Sequence, residues 1–192
     1  IWMGGHEGGE VAAQIATETV ARYIRSQQYL IDRIRHGRMD NKMLVSLAGL
    51  SVLHACRAVF REAQLRPQLS GMGCTLTVVL MGRGVAAMAH VGDSRLYLQR
   101  NGQLVQISHD HTVAEEFARM GLISPEQKSH IQGGGHLVRA VGVRETVEVD
   151  ELLFDVREGD RLVLCTDGVW GYLENPDDMR EFLVHVADDD AA

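Results

Sequence analysis

The stretch "GVAAMAHVGDSRLYLQRNGQLVQI", residues 84–107, decides the fold. Two short runs, "RLYLQR" and "QLVQI", flank Asn101-Gly102. That dipeptide is a strong hairpin signal, because both residues tolerate the positive φ that a two-residue turn needs. Upstream, "GVAAMAHV" and "CTLTVVLM" are short apolar runs separated by "GRG". Their length and flanking glycines favour strands over helices. The expectation is a four-stranded antiparallel meander over residues 74–107.

Working outward, the texture changes on both sides. Residues 8–27 carry Val11, Ile15, Ala16, Val20 and Ile24 at helical spacing, and residues 43–65 carry Leu44, Leu47, Leu50, Leu53, Ala55 and Phe60. "RIRHGRMDNK" between them reads as a polar link, and Pro67 and Gly71 close the second helix. Downstream, "HTVAEEFARMG" predicts a helix capped by Thr112, with Glu115 completing a capping box and Gly121 ending it. "SPEQ" repeats the start signal with Ser124, Pro125 and Gln127. "HIQGGGH", residues 130–136, is a glycine-rich loop. "VEVDELLFDV" and "DRLVLCT" are two further strands joined by "REGD", and residues 176–187 read as a last helix. Helices, strands, short helices, strands and a helix in that order indicate α+β with antiparallel sheet, not a βαβ repeat.

The 192 residues suffice for one domain with a sizeable core. Hydrophobic residues make up 45% and charged residues 23%, which argues against disorder. A formal net charge of −7 disfavours nucleic acid or an anionic membrane as partner. No apolar run is expected to span a bilayer, and no signal peptide opens the chain. Cys56, Cys74 and Cys165 are odd in number, far apart and set in apolar stretches. They read as buried free thiols, which fits a cytoplasmic compartment.

Two aspartates share one local pattern. Asp93 in "AMAHVGDSR" and Asp167 in "LVLCTDGVW" each follow an apolar strand and sit in a glycine-containing turn. Each is either a turn former bonding its own backbone or a carboxylate projected into a cleft. Two such carboxylates that met would repel unless a hard divalent cation lay between them, and Mg²⁺ and Mn²⁺ prefer oxygen donors of this kind. His6 in "MGGHEGGE" is either a surface histidine before a helix or a proton donor to a leaving group, with Gly4 and Gly5 letting backbone approach a phosphate. "HIQGGGH" lacks the Lys-Ser/Thr of a P-loop and reads as a flexible loop. "HDHT", residues 109–112, reads as a structural turn before the Thr112 cap.

Taken together, "MGGHEGGEVA", "GMGCTLTVVLM", "AHVGDSRLYLQRNGQLVQISHDHT", "HLVRAVG" and "GDRLVLCTDGVW" stand in the order found in the metal-dependent protein phosphatases (PPM, type 2C), bacterial branch. The resemblance covers nearly the whole chain. It implies a four-layer αββα sandwich, with two antiparallel sheets packed face to face and helices outside. It implies a binuclear Mn²⁺ or Mg²⁺ centre with room for a third ion, Asp167 as a ligand of that centre and Asp93 as a ligand of the further, weaker ion. Water activated there would attack phosphoserine or phosphothreonine in line, and His6 would protonate the leaving oxygen. Residues from about 113 to 136 would form the flap beside the site. The implied partners are a phosphorylated protein and a cognate serine/threonine kinase, and the chain is expected to be a monomer.

The chain also departs from that pattern. The family reads "V-A-D-G-M-G-G-H", and its aspartate bridges both metals; here Ile1 and Trp2 stand directly before "MGGH". Either the bridging carboxylate is replaced by an apolar residue, or Ile1-Trp2 is a seam where a stretch is left out. The family's early Arg and late Asp-Asn motif are not found either, so the single domain over 1–192 reads as incomplete at both ends. Asp188, Asp189 and Asp190 read as solvated helix-start carboxylates. The competing function is a catalytically inactive phosphatase-like module that binds and regulates a phosphoprotein or kinase. A phosphatase for small phosphoesters is a weaker third.

Overall fold

In the computed structural model the chain opens with a short strand, β1 (Trp2–Met3), and three helices, α1 (Gly5–Ser26), α2 (Gln28–Arg35) and α3 (Lys42–Leu65). There follow β2 (Gly73–Cys74), β3 (Leu76–Met81), β4 (Val85–Val91), β5 (Arg95–Arg100) and β6 (Gln103–Gln106). Then come α4 (Val113–Arg119), a 3-10 turn (Pro125–His130), β7 (Asp150–Asp155), β8 (Arg161–Cys165) and the one-turn helix α5 (Asp167–Trp170). The structure describes residues 2–3, 5–173, 177–181 and 183, with side chains from residue 8 onward. The expected last helix over 176–187 falls only partly within them; residues 177–181 are helical. Asp188, Asp189 and Asp190 lie outside the described residues.

The meander is corrected. β3 to β6 divide between two sheets, ordered β3-β4-β7 and β6-β5-β8, and β4 never pairs with β5. The Asn101-Gly102 hairpin holds, with Asn101 at φ 51° and Gly102 at φ 74°. At Gly92 the chain instead leaves one sheet for the other. A local strand–turn–strand pattern cannot reveal this, because the true neighbours, β7 and β8, lie some 60 residues further on. β4 is the central strand of its sheet and is buried on both faces from Ala86 to Val91, which explains its unbroken apolar run.

The polar link is also shorter than expected. Leu30, Ile31 and Ile34 make an apolar stripe along α2, and Ile31 and Ile34 are buried with Leu44, Leu47 and Ala87. By length and composition α3 could cross a bilayer, contrary to the expectation that no run is long enough. Half of that apolar window is buried inside the protein. Leu44, Leu47, Ala48, Val52, Ala55, Cys56 and Val59 turn inward on α3, and the helix packs on β3, β4 and β7. Ala12 and Ala16 let α1 approach α3 closely. The fold is therefore α+β: two three-stranded antiparallel sheets, the first covered by a helical layer, with β1 and β2 paired separately. Cys56 and Cys74 are buried free thiols, while Cys165 is only half-buried.

Across the far end, Arg100 of β5 holds Asp160 in a two-pronged ion pair (2.9 and 2.6 Å) and donates to the Asp155 carbonyl of β7 (3.0 Å). One side chain thus ties the two sheets together. The Arg100 guanidinium holds the Asp160 carboxyl down at about 2. An unfolded aspartate titrates near ~3.9, so the pair's contribution is present above that pH and lost as pH falls toward 2. Arg100→Met is expected to return Asp160 toward the ordinary value and to remove that acid-dependent part of stability. Carboxyl NMR titration with unfolding curves between pH 5 and 2 checks both.

Candidate metal centre

The β5–β8 ladder pairs Arg95 with Cys165, Leu96 with Leu164 and Tyr97 with Val163. Carried two residues past its end, the same antiparallel register sets Asp93 opposite Asp167. The two sequence-predicted carboxylates are therefore brought together, Asp93 in the crossover between the sheets and Asp167 at the first position of α5. They face one cleft of about 580 Å³. Its walls include Arg95, Asp110 and Trp170 on the sheet side, and Lys128, Ser129, Gly134 and Gly135 on the other.

Asp93 is almost fully buried, and its Oδ1 has no hydrogen-bond partner among the described residues. Burial, with the Asp167 and Asp110 charges beside it, raises its pKa to about 6. A buried, unpartnered carboxylate oxygen facing a second carboxylate is costly in an empty protein and suited to a hard divalent cation. The residues present fit such an ion, with Asp93 and Asp167 to hold it. Among the described residues no third His, Cys, Asp or Glu completes a cluster.

The turn carrying Asp93 is braced on every side. Gly92 has φ 111°, and a Cβ there would lie 2.4 Å from Cγ2 of Thr75, so only glycine fits. The Gly92 amide donates to Nδ1 of His111 (3.1 Å), and the His111 amide donates to the Gly92 carbonyl (2.7 Å). Nε2 of His90 lies 3.0 Å from the carbonyls of Gly92 and His109, so it carries the proton, and Nδ1 accepts from Thr77 (2.9 Å). Burial and the neighbouring His111 push His90 down to about 4, which keeps it neutral. Ser94 bonds Thr75 (2.7 Å). Arg95 grips Asp110 through Nε and NH2, the shortest contact being 2.7 Å. The HDHT segment is thus structural: His111 and Asp110 hold the turn from outside.

Asp93 and Asp167 were expected from their strand-end turns. Trp170 and Arg95 were not, although Trp170 falls one helical turn after Asp167; Asp110 and His111 belong to the HDHT turn already read as structural. The side chain of His6 and all of Gly4 lie outside the described residues; Gly5 begins α1. "HIQGGGH" forms part of the cleft wall through Gly134 and Gly135. Residues 113–136 are a folded excursion tied at its base by Val113 N–H to the His136 carbonyl (3.0 Å) and Ala114 N–H to the Gly134 carbonyl (2.9 Å). Thr112 caps α4 through the Glu115 amide. The Glu115 carboxylate pairs instead with Lys128 across the excursion, while Ser124 and Gln127 do form the expected capping box.

A family model described as Protein phosphatase 2C matches residues 3–189, and the chain belongs to that family. It is 33% identical to the serine/threonine phosphatase stp of Listeria welshimeri over 167 residues, 87% of this chain and 63% of that protein. It is 34% identical over 168 residues to the serine/threonine protein phosphatase PstP of Mycobacterium tuberculosis, covering 87% of this chain and 30% of that one. The chain thus spans less than two thirds of both relatives. A crystal structure of the M. tuberculosis phosphatase superposes with a TM-score of 0.73 at 31% identity, over 88% of this chain and 66% of that one. The PstP catalytic domain in complex with two manganese ions gives a TM-score of 0.68 at 32% identity, over 88% and 65%.

Asp93→Asn removes a buried charge while keeping its shape. In the presence of a chelator at pH 7.5 it is expected to stabilise the chain by about 1–3 kcal/mol, a gain that shrinks as pH falls below 6 and Asp93 protonates by itself. Urea unfolding at several pH values measures it.

Proposed function

We propose that the protein of which this chain is part hydrolyses phosphoserine and phosphothreonine in proteins with the help of divalent cations, Mn²⁺ or Mg²⁺. The observation that carries this is the pair of carboxylates, Asp93 and Asp167, set against each other at the end of one ladder in a type 2C phosphatase fold. A divalent cation held there supplies Lewis-acid activation of the attacking water and neutralises charge on the phosphoryl group. Asp93 and Asp167 would hold the ions. The Gly92 turn and α5 fix where those carboxylates point, and the cleft admits a phosphorylated side chain. His6 is the residue proposed to protonate the leaving oxygen, with Gly4 and Gly5 giving backbone access to the phosphate. Lys128 and Ser129 in the segment 113–136 line the cleft opposite the carboxylates and are suited to select among substrates. The substrate would be supplied by a serine/threonine kinase. A single domain acting as a monomer, in the cytoplasm where Cys56, Cys74 and Cys165 stay reduced, completes the reading.

The complete protein is expected to dephosphorylate phosphoserine and phosphothreonine peptides with Mn²⁺. Chelation should abolish the activity and Asp167→Asn should lower it by about 100-fold or more. Phosphate release surviving both treatments would overturn the reading. Phosphopeptide binding without turnover at every Mn²⁺ concentration would replace it with a regulatory binding module.

A further inference from the structure

Two like charges set opposite each other tend to splay apart when nothing lies between them. One side chain opposes this. Trp170 sits one helical turn after Asp167, and its indole N–H donates to the main-chain carbonyl of Asp93 (3.1 Å). Its ring face is covered by the Arg95 guanidinium, 3.7 Å from the ring centroid. Arg95 lies two residues after Asp93 and is itself fixed by Asp110 and by Tyr97 (3.2 Å). The indole is therefore held at its edge by the turn that carries Asp93 and at its face by the start of β5, while its backbone belongs to the helix that carries Asp167.

The geometry points to Trp170 as a positioning residue that sets the gap between the two carboxylates, so that a divalent cation meets a pair already at binding distance. This rests on the metal-centre reading above and adds a component to it. Trp170 lines the cleft but its side chain offers no oxygen to a hard cation. It acts through the Asp93 carbonyl, and the regular ladder hands over to it at Arg95–Cys165. Without the N–H tie, α5 and the carboxylate it carries are free to relax away from the braced Asp93 turn, and the cation must draw them together at the expense of affinity.

The test uses the complete protein with Trp170 replaced by 3-benzothienylalanine, which puts a sulfur in place of the indole N–H and closely keeps the ring shape, beside Trp170→Phe. Mn²⁺ binding is followed by titration calorimetry, stability by urea unfolding in chelator, and turnover at saturating Mn²⁺. Both replacements should weaken Mn²⁺ binding about tenfold. The benzothienyl protein should keep its urea midpoint, and turnover should return to within about threefold once Mn²⁺ saturates. Wild-type Mn²⁺ affinity in the benzothienyl protein, with or without loss of stability, would overturn the inference while leaving the metal centre standing. Failure of the unaltered protein to bind Mn²⁺ would overturn the metal-centre reading and this inference with it.

Discussion

The burial of the Asp93 carboxylate beside Asp167 is the constraint on which the rest of this structure turns. A fold driven only by burial would not place an unpartnered carboxylate oxygen in its interior next to a second carboxylate. The β5–β8 register does so by continuation, and the chain carries the cost where a hard cation, under the proposed function, would recover it. That cost is offset by an apolar core in which α1 and α3 lie close over the central strand β4.

Holding such a pair requires a rigid surround. Most of the polar groups near Asp93 bond to each other and to its backbone: His111 to Gly92, Ser94 to Thr75, Arg95 to Asp110. The two histidines are stacked obliquely, with ring centroids 4.9 Å apart, and burial lowers the proton affinity of both. A histidine pair that carried charge there would add repulsion inside the core; neutral rings serve as fixed donors and acceptors. Asp150, on the neighbouring strand β7, accepts from His111 (3.1 Å) and from Arg139 (2.7 Å), so the brace continues outward to the surface.

What the sequence revealed follows from what is local. Asn101-Gly102 announces its hairpin because two residues suffice to define it, and Ser124 with Gln127 announces its cap for the same reason. Asp93 and Asp167 are legible as carboxylates in strand-end turns. That Gly92 crosses between sheets is not legible, since it depends on β4 pairing with β7 and β5 with β8, far along the chain. Trp170 hides for a related reason: its spacing from Asp167 is visible, yet the carbonyl it bonds belongs to a segment 77 residues earlier. The α2 stripe of Leu30, Ile31 and Ile34 spans little more than one helical turn, too short for its period to stand out beside Arg33 and Arg35.

The crossover at Gly92 has a consequence for the order of assembly. The β3–β4 and β5–β6 hairpins close over a few residues and need little loop entropy. The pairings of β4 with β7 and β5 with β8 must close the long excursion that includes α4, and contacts of such sequence separation form slowly. Because Asp93 lies on one side of that excursion and Asp167 on the other, the charged pair forms only when the loop between them closes. The repulsion within the pair therefore adds to the entropic cost of that closure.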